Sequence, residues 1–210
     1  MKFQAVAWDI DGTLIDSEPL HHEALVAACQ HLGSDVSDLP DKAFQGIHLY
    51  DVWSLLADRL PRHVTRNTWI DVINSYYVEQ RNTLVPSTDA FEIIAAIAEK
   101  GLQQVCVSNS NRSIVDANID ALGISPWISF SISLDDVKAG KPDPEPYLQA
   151  CQRLGIAPQH VLAIEDSKAG QTSARNAGLS VIEFDPLRKG NSIPDLVICE
   201  LDHIREILGL

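Results

Sequence analysis

The chain has 210 residues, 45% of them apolar and 21% charged, with 11 Gly and 11 Pro; such a composition describes a folded chain and excludes disordered, collagen-like and long-repeat classes. Sixteen Lys plus Arg against 29 Asp plus Glu give a formal net charge of −13, which argues against a nucleic-acid backbone or an anionic membrane as partner. The same sign repels a small anion at long range, so any phosphate site must build local positive potential from a metal, a lysine or backbone N–H groups.

An apolar run over residues 3–8 reads as a buried strand whose end opens into Asp9, Asp11 and Gly12. It is too short and too soon acidic for a signal peptide, and no later stretch reaches the ~18 apolar residues of a membrane span. A cytoplasmic protein with no membrane partner is expected. Cys29, Cys106, Cys151 and Cys199 are widely separated and read as buried thiols in a reducing compartment. Residues 20–84 carry helical patterns broken by Pro40 and Pro61, with no strand-like alternation of convincing length.

After Pro86 the pattern turns regular. Helix 88–99, strand 104–107, helix 111–122, strand 128–132, helix 144–154, strand 161–164, helix 168–177, strands 181–184 and 196–198 and a terminal helix 202–208 follow one another. Strand–helix alternation with glycine at helix ends predicts an α/β fold: a Rossmann-like, mostly parallel sheet flanked by helices, with a small all-helical cap inserted after the first strand. The predicted division is a catalytic core of residues 1–17 and 86–210 and a cap of residues 18–85, suited to excluding water and selecting substrate.

In such sheets ligands bind beyond the carboxyl ends of the strands, and the reactive residues collect there. Asp9 and Asp11 follow the first strand, Ser108 and Asn109 the second, Glu165 and Asp166 the strand after Gly155, and Lys141 lies in the loop KAGKPDPEP. Of two carboxylates two residues apart, one can serve as nucleophile or metal ligand while the other handles a proton. Gly12 allows a tight departure from the strand, and the Thr13 hydroxyl can orient the loop or a carboxylate. Asp9, Glu165 and Asp166 make an oxygen-rich set that suits magnesium; ordinary salt-bridged loop acids are the competing reading. Ser108 to Asn111 also resemble a helix N-cap, a role compatible with phosphate binding at a helix start. Lys141 supplies a fixed charge for a transferring phosphoryl group. Trp53, Trp69, Tyr76 and Tyr77 are expected to pack the cap helices, stacking on a base being the alternative.

The pieces DIDGT at 9–13, VSNS at 107–110, GKP at 140–142 and ED at 165–166, in this order, resemble the four motifs of the haloacid dehalogenase-like hydrolase superfamily, in its β-phosphoglucomutase-like phosphatase branch. The similarity extends over DSEPLHHEA at 16–24, PDPEPYLQA at 142–150 and EDSKAGQTSARNAG at 165–178. What the resemblance implies is a phosphoric monoester hydrolase. Asp9 would be the nucleophile that forms an aspartyl-phosphate, and Asp11 the acid and then the base. Ser108 and Asn109 would bind phosphate and Lys141 would offset the developing charge. Mg²⁺ would be held by Asp9, the Asp11 carbonyl and Asp166, with Glu165 a further ligand or an outer acceptor.

The implied substrate is a small phosphorylated metabolite, a sugar or sugar-acid phosphate, acted on by a monomer or a dimer. A sugar phosphomutase is the first rival. The branch's mutases carry Lys and Arg where this chain has Gln45 and Leu49, and Leu49 cannot grip a distal phosphate. A non-catalytic phospho-metabolite-binding protein is the second rival, and retention of the nucleophile, acid, lysine and metal acids argues against it. The phosphonate-cleaving relatives use a cap lysine; Lys42 is the only lysine of the expected cap, and its Pro- and Asp-rich setting argues against that activity. In the cap, His21 matches a residue that couples closure to placement of the acid, His22 is expected to face solvent, and Gln45, Gly46 and His48 are candidates for substrate contact.

Overall fold

The computed structural model describes residues 3–36, 38–39, 44, 49–187 and 197–210. In chain order the elements are β1 (Ala5–Trp8), β2 (Ile15–Asp16), α1 (Glu18–His31), α2 (Leu49–Leu56), α3 (Arg66–Gln80), β3 (Val85–Pro86), α4 (Ala90–Glu99) and β4 (Gln103–Val107). Then come α5 (Arg112–Leu122), β5 (Phe130–Ile132), α6 (Glu145–Leu154), β6 (Val161–Glu165), α7 (Lys168–Asn176), β7 (Ser180–Phe184), β8 (Val197–Ile198) and α8 (Ile204–Leu208). The chain divides into two compact units, Met1–Asp16 with Val85–Leu210, and Ser17–Leu84.

The larger unit is built on a six-stranded sheet in the order β5-β4-β1-β6-β7-β8, and every pairing in it is parallel. All four residues of β1 are buried, as are all five of β6, the near-continuous apolar run that a strand covered on both faces requires. Inside this core Trp8 Nε1 donates to Gln104 Oε1 at 3.0 Å and Gln104 Nε2 donates to the Ile94 carbonyl at 2.8 Å, so the buried amide is satisfied. Strand order reverses at β1: the chain steps to β4 and β5 on one side and to β6, β7 and β8 on the other. The ends of β1, β4 and β6 therefore lie side by side, and that crevice is where a doubly wound sheet receives its ligand.

A two-stranded antiparallel ribbon, Ile15 opposite Pro86 and Asp16 opposite Val85, carries the chain out to the helical unit and back. Two-residue strands leave no periodic signal, and the sequence pattern does not predict this ribbon. The sequence-predicted core elements are all present with ends shifted by a residue or two. The expected 128–132 strand is shorter, and the terminal helix is preceded by a 3-10 turn at Leu201–His203.

In the smaller unit Trp69, Ile73 and Tyr77 recur at helical spacing on one buried face of α3, and Leu20, Ala24, Leu25, Ala28 and Cys29 form that of α1. Trp69 Nε1 donates to Cys29 Sγ at 3.3 Å, Trp53 packs on Trp69 with centroids 5.6 Å apart, and His21 lies on Tyr77 at 4.5 Å. Trp69 and Tyr77 thus pack helices, as expected. His22 is half-buried like His21, short of the exposure expected for it. Cys29, Cys106 and Cys151 are buried free thiols, whereas Cys199 is only partly buried, because it follows the edge strand β8. Among the described residues no helix is long and apolar enough to cross a membrane.

Candidate active site

Asp9 follows β1 directly, and its N–H still donates to the Ile164 carbonyl of β6 at 3.0 Å, so the sheet fixes its backbone. The chain then winds about the Ile10 carbonyl, which accepts from the N–H groups of Thr13, Leu14 and Ile15 at 3.2, 2.9 and 3.2 Å. Gly12 sits at φ +82°, and a Cβ there would lie 2.3 Å from Asp166 Oδ2. Glycine is required at this turn for its backbone and to admit the Asp166 carboxylate.

Lys141 Nζ stands between acids. It donates to Asp9 Oδ1 at 2.7 Å and to the Val107 carbonyl at 2.7 Å, and pairs with Glu165 Oε1 at 2.6 Å. Three ammonium protons meet three acceptors. Glu165 also accepts from the Tyr147 hydroxyl on Oε1 and from Ser167 Oγ on Oε2 at 3.3 Å. The Thr13 hydroxyl has Asp9 Oδ2 and Asp166 Oδ1 each at 3.3 Å. Lys141, Asp9, Glu165, Tyr147 and Thr13 are all buried.

Burial raises all three acids. Asp9 is lifted above its ordinary value against the pull of Lys141, with the Asp11 charge adding to the rise. Glu165 is pushed up to about 7 by burial and then by the Asp9 charge. Asp166 is pushed up to about 8 by burial and the charges of Asp9 and Glu165. Burial opposes the Lys141 charge too, yet Asp9 and Glu165 outweigh it and hold the ammonium above its usual value. One ammonium offsets one carboxylate, so the remaining acids call for protons or a cation. Carboxylate oxygens of Asp9, Glu165 and Asp166 lie within 4.8 Å of one another, an all-oxygen set that fits a hard divalent ion.

The Asp11 side chain is directed elsewhere. Its Oδ2 accepts from Ser108 Oγ and Ser110 Oγ, both at 2.9 Å, and its Oδ1 accepts from Asn118 Nδ2 at 3.0 Å. Ser108 Oγ in turn accepts from the Ser110 N–H at 2.9 Å. Asp11 thus supplies a carboxylate to the motif after β4, while the ion cluster is made by the other three acids. Asn109, the other residue expected to bind phosphate, turns its carboxamide to the main chain of Lys141. The cap of α5 also differs from expectation: Asn111 makes no side-chain cap bond, and the Arg112 N–H is taken by Asp135 Oδ2 at 2.7 Å, with Asn111 Nδ2 on Asp135 Oδ1 at 3.0 Å. That helix start is satisfied by a protein carboxylate.

The structure thus gathers Asp9, Asp11, Thr13, Ser108, Asn109, Lys141, Glu165 and Asp166 at the ends of β1, β4 and β6. His21 lies in the helical unit, and Gln45, Gly46 and His48 lie outside the described residues. Sequence reasoning missed Asn118, Tyr147 and Ser167, and read Ser110 only as part of a helix N-cap. Asn118 carried a usable signal, a polar residue on the buried face that also holds Ile114, Val115, Ala117 and Leu122.

Strand-end acids around a buried lysine, at the reversal point of a parallel sheet, have the make-up of an active site. The haloacid dehalogenase-like hydrolase model matches residues 3–178, and the chain belongs to that family. It is 23% identical over 205 residues to validoxylamine A 7'-phosphate phosphatase of Streptomyces hygroscopicus subsp. limoneus, covering 97% of this chain and 96% of that one. It is 24% identical over 180 residues to the phosphorylated carbohydrates phosphatase of Thermotoga maritima, covering 85% and 83%. The fold is shared with CbbY from Rhodobacter sphaeroides, crystallised with phosphate, at a TM-score of 0.79 and 19% identity over 94% of both chains.

Proposed function

We propose that this chain is a Mg²⁺-dependent phosphatase that hydrolyses a small phosphomonoester, of the sugar or sugar-acid phosphate class, through an aspartyl-phosphate on Asp9. The observation that carries the reading is the buried Lys141 ammonium bridging Asp9 and Glu165 at 2.7 and 2.6 Å. A lysine so held keeps an ionised oxygen at the strand end and offsets charge on a phosphoryl group beside it. The activities of the two phosphatase relatives support the substrate class.

In this mechanism an Asp9 oxygen attacks phosphorus, the new P–O bond forming as the bond to the leaving alcohol breaks. Asp11 gives that alcohol its proton. As a carboxylate it then takes a proton from water, whose oxygen attacks phosphorus, freeing Asp9 and inorganic phosphate. The Ser108 hydroxyl has one proton, here on Asp11, and turns it to a phosphoryl oxygen. Asp9, Asp166 and the Asp11 carbonyl would hold the Mg²⁺; Glu165, both of whose oxygens are engaged by protein groups, takes the outer role. The ion, when bound, offsets repulsion between carboxylate and phosphate. The helical unit, Ser17–Leu84, is assigned the role of a cap that selects substrate.

The test is a phosphate-release screen with Mg²⁺ over sugar phosphates, sugar-acid phosphates, polyol phosphates and nucleotides, with chromatography of the organic product. Free phosphate from sugar phosphates supports the reading. Isomerised sugar phosphate without phosphate release would make the protein a mutase, and no turnover on any compound would make it a binding protein.

A further inference from the structure

We propose that Asn109 is a positioning residue for Lys141: its carboxamide clamps the main chain of the lysine so that the ammonium is delivered to Asp9 in one conformation. The inference rests on the reading of Lys141 as the charge-offsetting residue.

Asn109 Nδ2 donates to the Lys141 carbonyl at 3.0 Å, and the Lys141 N–H donates to Asn109 Oδ1 at 2.7 Å. A primary carboxamide presents a donor and an acceptor in one plane, the pair that matches the two main-chain groups of a single residue; a carboxylate offers only acceptors and a hydroxyl only one centre. The tip of the same lysine donates to the Val107 carbonyl at 2.7 Å. The end of β4 therefore holds Lys141 twice, by Val107 at the ammonium and by Asn109 at the backbone. A flexible four-carbon side chain anchored at both ends has its geometry set before substrate arrives, which is the condition for electrostatic stabilisation without reorganisation.

Gly140 is a second, independent sign that this contact is built. A Cβ at Gly140 would lie 2.6 Å from Asn109 Oδ1 and 2.8 Å from Leu134 Cδ1. The residue before Lys141 must lack a side chain for the carboxamide to reach its place.

The experiment compares Asn109→Ala, Asn109→Asp, Gly140→Ala and the double variant Asn109→Ala/Gly140→Ala, each with Mg²⁺ and p-nitrophenyl phosphate, reading kcat, KM and Ki for inorganic phosphate. Asn109→Ala is expected to lower kcat by on the order of 10²-fold, the effect of a small misplacement of a charge, with Ki for phosphate unchanged. Asn109→Asp keeps the acceptor for the Lys141 N–H and is expected to fall between wild type and Asn109→Ala. Gly140→Ala should lose a similar factor, and the double variant no more than either single one, because both break one contact. Hydrogen exchange at the Lys141 amide, read on the folded variants, should lose its protection in step. Wild-type kcat in Asn109→Ala overturns the proposal, as do additive losses or a raised Ki at full kcat, the mark of a phosphate ligand. Lys141→Ala is the control: wild-type turnover in it would defeat the reading of Lys141 and this inference together, whereas loss there beside a fully active Asn109→Ala defeats the clamp alone.

Discussion

Asn118 Nδ2, wholly buried on α5, donates to Oδ1 of Asp11 across 3.0 Å, although the two residues are 107 apart in the chain. Burying an amide on an apolar helix face is unfavourable unless it finds a partner, and the Asp11 carboxylate is that partner. With Ser108 and Ser110 on the other oxygen, the proposed acid-base group is held from both sides.

Replacing Asn118 by Leu should therefore affect both stability and rate. The stability loss is expected at about 1–3 kcal/mol, read from urea denaturation. The rate loss should be larger on alkyl phosphates than on p-nitrophenyl phosphate, whose leaving group needs little protonation. Equal losses on both substrates would separate Asn118 from the proton-transfer step.

Asp9→Asn is expected to remove turnover by on the order of 10⁴-fold or more, as loss of a nucleophile does, while the protein keeps its circular dichroism spectrum. Phosphate release at the wild-type rate in Mg²⁺ would rule out Asp9 as the nucleophile.

The acid cluster sets a pH dependence whose sign can be worked out. Glu165 is raised from its ordinary 4.5 to about 7 and Asp166 from 3.8 to about 8. Between roughly pH 4 and 8 the folded, metal-free protein thus binds more protons than the unfolded chain. Stability then falls as pH rises through that window. Melting temperature in EDTA should be higher at pH 5 than at pH 8, and Mg²⁺, which needs the ionised acids, should raise it most at pH 8. Asp166→Asn should flatten the slope; an unchanged slope would refute the assignment to this cluster.

Tyr147→Phe removes the hydroxyl donated to Glu165 and leaves the Lys141–Glu165 pair in place. A stability loss of about 1–2 kcal/mol is expected, since hydrogen bonds to charged groups exceed neutral ones, with a lesser effect on kcat than Asp9→Asn. Denaturant midpoints and initial rates on the same preparations decide it.

The parallel sheet was legible because buried strands such as β1 and β6 are continuous apolar runs and each following helix ends in a glycine or shortly before one. Asp9, Asp11, Lys141, Glu165 and Asp166 were legible because acids and a lysine at strand ends and in a Gly- and Pro-bounded loop are unusual enough, in a fixed order, to mark a family. The β2–β3 ribbon was not, since two residues carry no period.

What the sequence by itself determined was local: which segments are strands and helices, and which residue types stand at their ends. Partnership across the chain was decided only by the tertiary structure. That Asn109 faces the Lys141 backbone, that Asn118 and Ser110 hold Asp11, and that Tyr147 and Ser167 serve Glu165 depend on a hydrogen bond's reach of about 3 Å, and residues brought that close by packing carry no mark of it in their spacing along the chain.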